Sequence, residues 1–412
     1  IAIRNLQNLW MGSYPSLATF YDAFKGLKRR WVLILAVLLH DLGKAYRFGH
    51  EYKGVDLAET ILARLGIGGE DKERVLFLVR NHLLMSRLSQ RRELTERKVI
   101  ADFSRRVRDR ENLAMLYLLT YADISAVTPT AWTQWKATLL QDLYIRTIDY
   151  LDRSAQIVEE EQTRLLAALT RIKKAAEARF SPEEIDAFLT AMPDQYILYT
   201  PVHKVIDHMG LMKRLPDEKL VVHHRHYHDK GYTELTVCAY DAYGMFYRTA
   251  GTIAAKNLNI LRAQVYTSKN GVMIDTFQIT DPEGNIYTYD DSWESVSTDL
   301  RVALMSAHRP PEPGIYVSAR VLSAAITPSV EIDNDTSDSF TIIDVSARDR
   351  VGFLYHVAKT LYDLNLDIGS AKIVTEGARV MDSFYVTDLL RKKITDSVRL
   401  ERIKTALLDV LK

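Results

Sequence analysis

An internal repeat constrains this chain more than any other feature. Asp241-Ala-Tyr-Gly244 returns as Asp349-Arg-Val-Gly352, an offset of 108 residues. At the same offset Ala250 meets Ala358, Asn257-Leu258 meets Asn365-Leu366, Ile260 meets Ile368, Ala263 meets Ala371 and Thr267 meets Thr375. One residue is then lost in a hairpin turn, after which IDTFQITD (Ile274–Asp281) aligns with MDSFYVTD (Met381–Asp388). Hydrophobic residues alternate along ELTVCAY, ILRAQVYTS and MIDTFQITD, as in strands, and helical stretches separate them. Each copy reads strand, D-x-x-G turn, helix, strand, hairpin, strand, helix, a βαββα unit given twice. HRPPEPG (His308–Gly314) is the turn-rich link between the copies.

Before residue 230 the patterns are helical. Trp31–Lys44 (WVLILAVLLHDLGK) is apolar on most faces, as in a helix buried within a bundle. Val55–Gly66 puts Leu57, Ile61, Leu62 and Leu65 on one stripe and stops at Gly66, a C-cap residue. KERVLFLVRNHLL and LAMLYLLTYADISA repeat the buried pattern, and Thr130–Ala178 reads as one or two long helices. Ser181-Pro182-Glu183-Glu184 is a capping box with proline at the first helical position. These patterns divide the chain into an all-α domain over 1–150, a helical linker over 151–230, and α+β domains over 231–310 and 338–412.

With 47% hydrophobic and 26% charged residues the sequence is that of a folded, soluble protein. Its net charge of +1 gives no global attraction to nucleic acid or anionic membrane. The longest apolar run, Trp31–Leu39, is far short of the roughly 20 residues that span a bilayer. Cys238 is the sole cysteine, which excludes an internal disulfide and a cysteine-rich zinc module; a reducing cytoplasm is the expected setting. The chain opens at Ile1 with no signal peptide, and reads as part of a longer protein.

Polar residues inside the apolar helices mark the chemistry. Only three histidines precede residue 200: His40, His50 and His82. His40 is followed by Asp41 at the end of the most apolar helix, His50 opens a His-x-x-x-Gly, and His82 ends another buried helix. Asp123 lies within LLTYADIS. Such groups are costly in apolar surroundings unless paired or bound to a metal. Imidazole with carboxylate and no thiolate favours Mn²⁺ or Mg²⁺, with Fe²⁺ and Zn²⁺ as further candidates. Adjacent helical residues project about 100° apart, so His40 and Asp41 would serve two ions or two sides of one.

H-D-L-G-K, H-x-x-x-G, R-N-H and A-D-I together resemble the HD-domain metal-dependent phosphohydrolases. LVRNHLLMSRLSQRR, TAWTQWKATLLQDLY and the long segment from Asp333 to Asp388 narrow the resemblance to the bifunctional PII uridylyltransferase/uridylyl-removing family. The two βαββα copies resemble its paired ACT domains, which are βαββαβ, ferredoxin-like. The resemblance covers essentially the whole chain. It implies metal-dependent hydrolysis of UMP from a tyrosine of the signal protein PII, under control of glutamine. Metal ligands would be His40, Asp41, His50, His82 and Asp123, with Asp41 as ligand or general base. Lys44 would add positive charge beside the phosphoryl group, or serve only as a helix-end lysine. Glutamine would contact Asp241, Gly244 and Asn259 in the first copy and Asp349, Gly352 and Asp367 in the second, where ACT modules pair within or between chains. The family also has a nucleotidyltransferase domain and a further HD histidine ahead of the helix at Ile1. Neither has a counterpart here, so the metal site is expected to be one ligand short.

Other features have plainer readings. HHRHYHD (His223–Asp229) places His224, His226 and His228 on one strand face, either an exposed lead-in strand or a metal site. KGLKRR and RLSQRRELTERK are solvated helix faces, or, for the second, a contact for phosphate or an acidic face of PII. Trp132 and Trp135 are core or a wall over uracil. The competing functions are an HD hydrolase of another nucleotide such as (p)ppGpp, and a non-catalytic glutamine sensor that docks on PII.

Overall fold

Eleven consecutive buried residues, Asn112–Ala122, form the axis of the N-terminal half. They belong to α8 (Arg110–Val127), which Asp109 caps by accepting the Asn112 N–H at 2.7 Å. The computed structural model describes residues 1–12, 17–45, 50–128, 131–153, 160–288, 290–305, 326–349, 352–376 and 379–411. It divides into two units, Ile1–Ala155 and Gln156–Lys412.

In the first unit the other helices are α1 (Ala2–Met11), α2 (Ala18–Gly26), α3 (Arg30–Leu39), α4 (His50–Arg64), α5 (Gly69–Asn81), α6 (Leu84–Arg91), α7 (Arg97–Val107) and α9 (Gln134–Arg153). A 3₁₀ turn at Leu42–Ala45 follows α3. Phe20 of α2 stacks on Tyr117 at 4.1 Å and Tyr117 on Tyr144 at 4.2 Å. Trp132 packs edge-on against Phe20 and Tyr121 and is half-buried at the margin of the core. Helix α4 buries Val55, Ala58 and Leu62, whereas Leu57 and Leu65 are exposed. The expected stripe is therefore displaced. Small residues on that face allow close approach: an added Cβ on Gly54 would lie 3.5 Å from the Gly43 nitrogen in the 3₁₀ turn. Gly66 ends α4 at φ +67°, the left-handed conformation that suits glycine.

The second unit begins with α10 (Glu160–Ala176), α11 (Pro182–Ala191), α12 (Asp194–Tyr199) and α13 (Val202–Glu218). Among the described residues Thr130–Ala178 holds α9 and α10, and the residues between them, 154–159, lie outside the described ones. The capping box forms in full: Ser181 Oγ accepts the Glu184 N–H, and Glu184 Oε2 accepts the Ser181 N–H. Then follow β1 (Leu220–Tyr227), β2 (Tyr232–Tyr240), α14 (Met245–Ala255), β3 (Asn259–Thr267), β4 (Val272–Thr280) and α15 (Asp290–Met305). The second copy supplies β5 (Ser329–Asp333), β6 (Thr341–Arg348), α16 (Phe353–Asp363), β7 (Leu366–Lys372), β8 (Thr375–Glu376), β9 (Arg379–Asp388) and α17 (Ser397–Leu411). Each copy is therefore ββαββα, with the two-residue β8 added in the second. In both copies the additional first strand stands at the front, and the antiparallel sheet reaches ahead of residues 231 and 338 to Leu220 and Ser329. The histidine run is β1, paired with β2.

All strands join one sheet in the order β1-β2-β4-β3-β7-β9-β6-β5, with β8 beside β9. The two copies meet at β3 and β7, where Ala263 pairs directly with its repeat equivalent Ala371. That pairing relates the copies by a local two-fold axis. Both strands carry a bulge at matching positions, between Ile260 and Arg262 and between Ile368 and Ser370. Helices α14 to α17 cover one face in a core shared by both copies. On the other face Val221, Cys238, Val272 and Ile274 pack with residues of α10 to α13.

Candidate metal centre and the cleft between the repeats

Three side chains of the first unit converge. His40 caps the C-terminus of α3, Asp41 follows it, and Asp123 projects from the last turns of α8. His40 Nε2 lies 3.2 Å from Asp41 Oδ2 and 3.4 Å from Asp123 Oδ1. One ligand atom from each of the three falls within 4.8 Å of the others, and this is the only such group among the described residues. His40 keeps helical backbone angles (φ −58°, ψ −31°), and it and Asp41 bring their ligand atoms to two sides of one point. Lys44 Nζ is 2.6 Å from Asp41 Oδ2. His82, 2% exposed, ends α5 with its ring centroid 5.3 Å from that of His40, beside the group but outside it. His50 opens α4 one turn before Gly54; its side chain lies outside the described residues.

The two rings are oriented alike. His40 Nδ1 is 2.8 Å from the Val37 carbonyl and His82 Nδ1 is 2.7 Å from the Val79 carbonyl, three residues back in each case. A proton on Nδ1 donated to that carbonyl leaves Nε2 as the ligand atom. Burial works to lower the pKa of His40, but hydrogen bonds to Asp123 and Asp41 outweigh it and raise the value to about 10. Burial likewise works to raise Asp41, and His40 and Lys44 overcome it, holding the carboxyl below its usual range. His82 is pushed down, chiefly by burial, and stays a neutral donor. The group demands positive charge. Asp41 Oδ1 is buried without a hydrogen-bond partner, and imidazole with two carboxylates is a donor set for a hard or borderline divalent ion, so the residues present fit one.

In the second unit the proposed effector residues regroup. Asp241 and Gly244 of the first copy line a cleft together with Asp367 of the second. Gly244 (φ +90°) and Gly352 (φ +78°) are the N-caps of α14 and α16. Tyr243 stacks on Tyr362 at 4.3 Å and its hydroxyl donates to the Tyr362 carbonyl, tying the first turn to the second copy's helix. Asn259 lies away from this cleft's lining and donates Nδ2–H to the Asp281 carbonyl at 3.0 Å. Asp349 is described, but residues 350 and 351 of its turn are outside the described residues. One lining residue, Asp275, was not singled out by the sequence reading. It interrupts the apolar row Met273, Phe277, Ile279, and its counterpart Asp382 interrupts Val380, Phe384, Val386. That paired interruption was visible in the aligned strands.

Residues 18–112 match the HD domain, and residues 336–411 match the ACR family N-terminal ACT domain. The fold and these matches define an HD-domain protein with paired ACT-type α+β repeats. Its relatives include bifunctional uridylyltransferase/uridylyl-removing enzymes from Gluconobacter oxydans (34% identical over 95% of this chain and 42% of the relative), Novosphingobium aromaticivorans (35%, over 92% and 42%) and Azospirillum brasilense (34%, over 93% and 42%). Over the part of them that it spans, the chain belongs to the bifunctional uridylyltransferase/uridylyl-removing enzyme family. It spans about two fifths of those relatives' length. No solved structure matches it. Among the described residues no helix is long and apolar enough to cross a membrane.

Proposed function

We propose that the first unit hydrolyses UMP from uridylylated PII and that glutamine, bound by the ACT repeats, sets its rate. The observation carrying this reading is the convergence of His40, Asp41 and Asp123 at one partly buried point. Those three would hold a divalent ion, Mn²⁺ or Mg²⁺, with His82 and His50 as further ligands. When bound, such an ion lowers the pKa of a coordinated water from 15.7 towards ~7 and polarises a phosphoryl oxygen.

The remaining work falls to the chain's own groups. Val37 and Val79 fix the rings through their carbonyls, so the ligand atoms are preset. Asp41 keeps one oxygen on Lys44 and one without a partner. The second oxygen is available as a ligand or to take a proton from the attacking water. Lys44 keeps its ammonium at the edge of the group, where it would meet the charge that develops on the phosphoryl oxygens. The leaving group is a tyrosine phenolate with a reference pKa of about 10, so little acid assistance is required. Incubation with uridylylated PII and Mn²⁺ should release UMP, and EDTA should stop the release. UMP release that persists in EDTA would overturn the metal-dependent reading.

A further inference from the structure

Asp275 sits on β4 at 1% exposure, and its Oδ1 has no hydrogen-bond partner. It lines the cleft between the repeats with Asp241 of its own copy and Asp367 of the other, and both of those are exposed. Burial and the neighbouring Asp241 and Asp367 all push its pKa upward. An unpartnered buried carboxyl is expensive. A strand that keeps one on its core-facing side, among Met273, Phe277 and Ile279, retains it at a cost to stability. A metal ion is a poor explanation, because among the described residues only the His40 group brings three ligand atoms close enough. An ammonium group suits the cleft better, since it donates up to three hydrogen bonds and three carboxyls line the wall. Asp241 is among them, with its Oδ2 also on Thr267 Oγ1 at 2.9 Å and 3.7 Å from Arg391. At the same cleft, Gly244 opens α14, whose first-turn N–H groups have no acceptor within the helix and suit a carboxylate.

We propose that Asp275 is a specificity-determining residue of a ligand site in this cleft, taking the ammonium of a small α-amino acid whose carboxylate lies at the Gly244 turn. The proposal rests on the glutamine reading and deepens it, naming the group that reads the amine and the cleft that holds it. The second copy keeps one of these acids and changes the other. The repeat carries Asp367 to Asn259 and Asp275 to Asp382. Asp382 holds the Val374 N–H on Oδ1 at 3.2 Å, and Asn259, an amide where the first cleft has the acid Asp367, donates to the Asp281 carbonyl. Among the described residues the set of three carboxyls is therefore complete at the first cleft, where Asp367 replaces the amide of Asn259.

Calorimetric titration of the chain with glutamine and with 4-carbamoylbutanoate, the same molecule without its amine, tests this. One glutamine per chain is expected, with the analogue at least tenfold weaker. Asp275→Asn should weaken glutamine at least tenfold and the analogue less than twofold, while Asp382→Asn leaves glutamine within twofold. If Asp275→Asn binds glutamine like the unaltered chain while Gly244→Ala does not, the role of Asp275 is overturned and the glutamine reading stands. No glutamine binding by the unaltered chain overturns both, and two equal sites overturn the assignment to one cleft. If circular dichroism shows that Asp275→Asn does not fold, Asp367→Asn replaces it; this variant should weaken glutamine at least threefold, and unchanged binding would overturn the proposal.

Discussion

His40 and His82 share one device: each ring is oriented through Nδ1 by a carbonyl three residues earlier. The device has a consequence for metal uptake. Without an ion, the pKa of about 10 keeps His40 an imidazolium at neutral pH, lying between Asp41 and Asp123. A ligating imidazole must give up that proton. Ion binding is therefore predicted to release about one proton at pH 8, and apparent affinity should rise with pH until about 10. Titration with Mn²⁺ in buffers of different ionisation enthalpy reads the proton directly; heats independent of buffer would contradict the assignment of His40. The candidate ligands were legible because polar residues stood in apolar helices. Their convergence was not, because Asp123 stands on α8, 83 residues along the chain from His40, and only tertiary packing brings the two together.

At the scale of elements, the D-x-x-G turns carry the testable geometry. Gly244 has φ +90°, and an added Cβ would lie 2.7 Å from Cε2 of Tyr362. Gly244→Ala should cost at least about 1 kcal/mol in chemical denaturation, from dihedral strain and displacement of the Tyr362 ring. A variant as stable as the parent would show that the turn relaxes freely. The repeated Asn257 and Asn365 have a matching cause, φ +55° and +57° in the turns that end α14 and α16, a conformation asparagine tolerates. The βαββα units were legible because strand and helix periods alternate in both copies. The leading strands were less so: β5 is five residues long, and β1 is polar along much of its length. Asp275 was passed over because an acid in an alternating strand normally faces solvent, whereas β4 is buried along its whole length.

Over the whole molecule, a helical unit with a metal-type donor set is joined to a sheet unit with a carboxyl-lined cleft. A regulator acts only through its different affinity for two states, typically by 1–3 kcal/mol. Glutamine should accordingly raise UMP release by about 5- to 150-fold, and Gly244→Ala should remove the effect without abolishing basal release. A glutamine response of full size in that variant would place the sensor elsewhere.

The central claim is that the His40–Asp41–Asp123 group supports phosphodiester hydrolysis. The most direct measurement is UMP release from uridylylated PII in saturating Mn²⁺, with the unaltered chain and Asp123→Ala side by side at matched circular dichroism. Removing a carboxylate from the group should cost several kcal/mol of transition-state stabilisation, roughly a thousandfold or more in rate. Release by the unaltered chain and near-complete loss in Asp123→Ala is the predicted result; equal rates, or no release from either, would contradict it.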